Sequence, residues 1–215
     1  MRELVRETGR RSTRRSPLFP YSALVRVILV RHCRSALNPA THPTTWGLTP
    51  EGRRQAVALA SSPWLRTASV LAAGPEPKMT ETLNPTAELL ATDLIIDDAF
   101  RETDAQWLEH DEFLAAVTRL FASPTSSPAP GWERSCDAGA RLLRGIRKHQ
   151  ESGSNSDVVV CSGGRALTSL LLSLAVIMPD RAFAYWQTIG MPDIAVLDIP
   201  TTGTPAVVRH FAGTV

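Results

Sequence analysis

The run VRVILVR at residues 25–31 most narrows what this chain can fold into, because a short unbroken Val/Ile/Leu stretch reads as a strand buried on both faces. Such strands belong to open α/β sheets, whose ligand sites gather at the carboxyl ends of the strands. Arg31 and His32 stand at that end. An imidazole can attack phosphorus, and a neighbouring guanidinium can hold two phosphate oxygens in its planar fork. Taken alone, the pair does not separate a catalytic role from an exposed strand end.

The rest of the chain alternates. A helix is expected over 50–61, with Thr49 as N-cap and Pro50 at its first position, followed by a strand over 69–73. A helix starting near Pro77 should break at Pro85, with Asn84 capping a second helix to about Ala91. Residues 94–97 read as a short strand, 109–121 and 132–151 as helices, and the Pro/Ser-rich 123–130 as their linker. A strand at 157–161, a helix at 164–177 and strands at 194–199 and 205–211 complete the pattern. It predicts a three-layer α/β/α sandwich around a mostly parallel sheet, with a helical cap lobe over about 100–152.

Composition sets the outer bounds. A chain of 215 residues, 43% hydrophobic and 20% charged, is long enough for one domain with a sizeable core, read here as 25–215. Three cysteines, Cys33, Cys136 and Cys161, make neither a paired framework nor a metal-ligand spacing, so free thiols and a reducing, cytoplasmic location are expected. The apolar stretch 165–178 is too short to span a bilayer, and no membrane association is expected. Six arginines against two glutamates give residues 1–25 a formal charge of +4, which leaves −2 on the rest of the chain. Residues 1–24 therefore read as an Arg-rich disordered extension, with weak nucleic-acid contact or an organelle-targeting role as the other readings.

Several segments, in order, carry a resemblance: VRVILVRHCRSALN, WGLTPEGRRQAVALA, GPEPKMTETLNPTAELLA, FRET, GWE and VVVCSGG. Together they resemble the histidine phosphatase (phosphoglycerate mutase-like) superfamily, in the branch whose second phosphate loop uses Pro-Lys. The likeness spans about residues 25–200. It implies a metal-independent phosphohydrolase without a cofactor, acting on a small phosphorylated substrate or binding a phosphate-like anion. By the same resemblance His32 is the nucleophile that becomes phosphorylated, Arg31, Asn38 and Lys78 contact phosphate, and Glu102 protonates the leaving group. Asp97, Asp98 and Asp104 are rivals to Glu102 by sequence proximity. Lys78, one of only two lysines among 23 basic residues, is otherwise readable as a solvated helix start.

One departure bears on activity. The family's third strand ends in Ser-His-Gly, and this chain has Ser162, Gly163 and Gly164, so Gly163 stands where the second histidine is expected. Losing one positioned donor to a transferring group costs roughly 10²–10³ in rate. Backbone N–H groups of Gly163 and Gly164 at a helix start are expected to keep an anion site, and Arg165 reads either as a surface residue of the first turn or as a side chain reaching back to replace the lost charge. Two readings follow: a phosphomonoesterase of reduced activity, or an inactive relative that binds a phosphorylated ligand. A mutase is disfavoured by the lack of a long insertion to close over the site. The same alignment implies that Gly163→His restores a donor, provided the backbone there is ordinary and the path to His32 open. Cys33, where the family has a small residue, reads as a buried inert thiol; Trp46 is expected near the cleft mouth, and His42, His110, His149 and His210 as surface or satisfied residues.

Overall fold

The computed structural model of the chain describes residues 26–152, 157–200 and 204–212; the Arg-rich extension lies outside them. Six strands form one sheet in the order β3-β2-β4-β1-β5-β6. They are β1 (Arg26–Arg31), β2 (Ala68–Ala73), β3 (Leu94–Ile96), β4 (Asp157–Ser162), β5 (Asp193–Asp198) and β6 (Ala206–Arg209). The first four run parallel, and β5 and β6 are antiparallel to their neighbours.

Although β1 is apolar at four successive positions, its side chains divide by the period of two. Val27 and Leu29 enter one core with Val158, Val160 and Leu197, while Ile28 and Val30 enter another with Val159, Cys161 and Val196. The second core is closed by α1 (Pro50–Ala60) through Ala56 and Leu59, and by α2 (Pro77–Leu90) through Met79 and Leu83. The first is closed by α4 (Ser135–Ser152) through Leu142 and Ile146, and by α5 (Gly164–Ser173) through Leu167, Leu170 and Leu171. This is the expected three-layer sandwich. Of the segment 100–152, α4 belongs to the sandwich layer, packed on α5 and β4. The part that overhangs the site is residues 101–134, with α3 (His110–Ala122) seated on α6 (Pro179–Thr188) through Val117, Phe121, Trp132 and Ala182.

Thr49 caps α1 as expected, its hydroxyl accepting the Gly52 N–H at 2.9 Å. Three local expectations need correction. First, α2 does not break at Pro85 but runs through it. Met79, Thr82, Leu83 and Thr86 bury one continuous face on both sides of the proline, so packing outweighs the missing N–H. Second, the helix expected to 177 ends at Ser173. Ala175 takes a left-handed conformation (φ 54°), and the N–H of Val176 returns to the Leu171 carbonyl at 2.9 Å, a helix stop normally signalled by glycine. Third, α6 follows where no helix was read. An interior proline costs about 3 kcal/mol, partly offset by the roughly 0.4–1 kcal/mol it removes from unfolded-chain entropy. Pro85→Ala is therefore expected to stabilise the chain by about 2–2.6 kcal/mol in urea unfolding, and an unchanged midpoint would count against this account.

Candidate active site

At the carboxyl end of β1, Arg31 and His32 open into a pocket of about 410 Å³. Lys78, Glu102, Gly164 and Arg165 line it with them, so four separate segments meet there. Asn38 does not line it: its Oδ1 accepts the Ala40 N–H at 3.0 Å and the residue is exposed. Gly163 lies outside the lining as well, as the N-cap of α5.

His32 is only 6% exposed. Its Nδ1 stands 2.8 Å from the Cys33 carbonyl oxygen, which can only accept, so Nδ1 carries the proton and Nε2 keeps its lone pair. Burial first, then the charge of Lys78, push the imidazole pKa down to about 3, and the ring is neutral at ordinary pH. The neighbouring Cys33 thiol is pushed up to about 11, mainly by burial, which makes it the inert thiol expected.

The cations are held by backbone. Arg31 donates from Nη1 to the Ile189 carbonyl at 2.5 Å, while its buried Nε has no acceptor. Gly164 leaves the guanidinium room, since a Cβ at that position would lie 3.0 Å from Arg31 Nε and would press it aside by a few tenths of an ångström. Lys78 sits in the first turn of α2, is buried, and donates from Nζ to the Pro43 carbonyl at 2.8 Å. Burial lowers the pKa of both groups. Arg165 is buried too, with its guanidinium over the rings of Phe113 and Trp132 at 5.5 and 5.1 Å.

Glu102 ties the site together. Ser162 Oγ donates to the Phe100 carbonyl at 2.7 Å and Glu76 Oε1 accepts the Glu102 N–H at 2.8 Å, fixing this segment over the end of β4. The Glu102 carboxylate then covers the start of α5. Oε1 accepts the N–H of Ala166 at 2.8 Å, and Oε2 accepts that of Arg165 at 3.3 Å and lies 3.7 Å from Arg165 Nε. Burial raises its pKa, but the Arg165 guanidinium and these N–H groups outweigh that and hold it below the usual carboxylate range. Gly163 has ordinary dihedrals (φ −90°, ψ 161°), yet a Cβ there would fall 2.0 Å from Glu102 Oε2. The carboxylate occupies the space that any side chain at 163 would need.

The family model for the histidine phosphatase superfamily (branch 1) matches residues 27–210. The chain belongs to that superfamily. No curated protein matches it by sequence. Its fold is similar to that of a mycobacterial glucosyl-3-phosphoglycerate phosphatase (TM-score 0.72, 20% identity, 87% of this chain and 99% of that one). A phosphoserine phosphatase from Entamoeba histolytica aligns with TM-score 0.70 and 19% identity over 88% of this chain and 98% of that one. Bacillus stearothermophilus YhfR aligns with TM-score 0.71 and 18% identity over 89% and 98%.

Within this histidine phosphatase fold, several site-building residues escaped the sequence reading. Glu76 carries no sequence signal of a role within its loop, and it is buried with Oε2 unpartnered. Phe113, Trp107, Trp186 and Met191 line the pocket from α3, its preceding loop, α6 and the loop before β5, places that no local spacing connects. Trp46 lines it as expected, its Nε1 bonded to the Asn38 carbonyl at 3.1 Å and its ring edge-on to Trp107. His110 also lines the pocket, while His149 is satisfied by Asp97 at 3.0 Å. Among the described residues no group of His, Cys, Asp and Glu could hold a metal ion, and no helix is long and apolar enough to cross a membrane.

Proposed function

We propose that this chain hydrolyses phosphate monoesters through a phosphohistidine at His32. The observation that carries the reading is the buried neutral imidazole with Nδ1 bonded to the Cys33 carbonyl and Nε2 free, set among Arg31, Lys78 and Arg165. Nε2 attacks phosphorus in line as the P–O bond to the alcohol breaks, and water then cleaves the P–N bond and regenerates the imidazole. Arg31, with a donor still lacking an acceptor, and Lys78 neutralise the equatorial oxygens.

The leaving oxygen needs a proton, and Glu102 in the free protein is ionised. The proton therefore arrives with the substrate: a phosphate monoanion carries it in, and the gathered negative charge raises the carboxyl pKa so that Glu102 can hold it and pass it on. The second phosphate pKa is about 6. Turnover should accordingly fall as pH rises from 6 to 8, and His32, neutral down to about pH 3, should impose no acid limb near 6.5. By the resemblance, Gly163 takes the place of a second histidine, which sets the expected rate roughly 10²–10³ below that of a site with the extra donor.

A second reading is an inactive protein that binds phosphorylated ligands through Arg31 and Lys78. One feature favours the inactivity: the Glu102 carboxylate is already engaged by the N–H groups of Arg165 and Ala166 and by the Arg165 guanidinium, which hold it ionised and ill suited to donate a proton. Steady-state assays with p-nitrophenyl phosphate, followed by alkaline quench to preserve the acid-labile P–N bond, decide between the two. Turnover with label on His32 supports the enzyme. Phosphate or vanadate binding without turnover supports the binder.

A further inference from the structure

We infer that the alcohol part of the substrate is an uncharged apolar chain or ring, seated against Trp46, Trp107, Phe113, Trp186, Leu37 and Met191. This inference rests on the phosphate site proposed above and names what lies beyond it. The pocket has two ends. Its buried end holds His32, Lys78 and Arg165, and its outer end carries large apolar side chains left in water: Leu37 at 69% exposure, Trp107 at 43% and Met191 at 39%. Single exposed apolar side chains are ordinary, but several gathered on the rim of one pocket mark a ligand-binding groove. A pocket of about 410 Å³ is far larger than a phosphate group needs, so most of the space belongs to the leaving alcohol.

Charge argues the same way. The lysine and arginine side chains lining the pocket are Arg31, Lys78 and Arg165, and all three sit at the phosphoryl end, whereas the outer end carries one imidazole, that of His110. Arg165 is already committed to Glu102 Oε2 at 3.7 Å and to the faces of Phe113 and Trp132. The outer end also carries a single carboxylate, that of the exposed Glu109. A substrate with a second anionic group, such as the phosphoserine or 3-phosphoglyceric acid bound in two structures of the Entamoeba histolytica phosphoserine phosphatase, would meet no lysine or arginine there and one carboxylate. An apolar alcohol meets aromatic rings.

Primary alkyl phosphates test this, because chain length changes apolar contact without changing the leaving oxygen. From ethyl to hexyl phosphate, kcat/KM should rise about threefold or more per methylene, and hexyl phosphate should exceed phosphoserine by at least about tenfold. Trp107→Ala, at an exposed position that should not disturb folding, is expected to flatten the chain-length slope. Equal rates along the series, or a preference for phosphoserine, overturn the apolar assignment and leave the phosphatase standing. If the protein binds vanadate but turns nothing over, displacement of vanadate by the same series reads the same preference. Failure to bind vanadate or phosphate at all overturns the site itself.

Discussion

His32→Ala is expected to lower kcat/KM for an alkyl phosphate by about 10⁴-fold or more while the protein still binds inorganic phosphate. Loss of the attacking group removes the covalent route altogether, and nucleophile deletions in other enzymes cost up to roughly 10⁶ in kcat. The cations are untouched by the change, because Arg31 and Lys78 are held by the Ile189 and Pro43 carbonyls and not by the imidazole. Folding is a separate question. The substitution leaves the Cys33 carbonyl without its ring donor, at a cost of about 1–3 kcal/mol, which urea unfolding would register independently of activity. A variant that folds, binds phosphate and is inactive matches the mechanism. One that folds and retains a tenth of the activity would place the nucleophile elsewhere.

The sheet was legible because its strands are short, apolar and alternate with amphipathic segments, and those local patterns fix both layer and period. Of the candidate site, Arg31, His32, Lys78 and Glu102 could be picked out because each stands in a segment that resembles a family motif, and the fold brings the four to one pocket. What could not be read depends on contacts remote in sequence. Pro85 looked like a break because the buried face that holds α2 together is defined by α1 and the sheet. Ala91 and Ala175 end helices in left-handed conformations without the glycine that would have marked them. Glu76 gave no signal because its role is to receive the N–H of Glu102, 26 positions away. The aromatic outer pocket is assembled from α3, α6 and two loops, and only the closed fold brings them to one place.

Gly163→His is expected not to restore activity, although the sequence comparison alone argues the reverse. The backbone admits the change, since φ of −90° suits any residue. The space does not, because the new Cβ would lie 2.0 Å from Glu102 Oε2 and 2.4 Å from its Cδ. Glu102 must swing away, and in leaving it releases the N–H groups of Arg165 and Ala166 that it caps. Overpacking costs about 1–3 kcal/mol and a lost cap about 1 kcal/mol, so a destabilisation of about 2–4 kcal/mol is expected in urea unfolding. Turnover should fall as well, because the displaced carboxyl is the group proposed to hand its proton to the leaving oxygen. The double variant Gly163→His with Glu102→Ala separates the two effects. With the carboxylate gone the imidazole has room, so stability should recover by about half, while turnover stays low for want of the acid. A single variant that is as stable as the parent and faster would show that Glu102 moves freely, and that the carboxylate over α5 does not define this site.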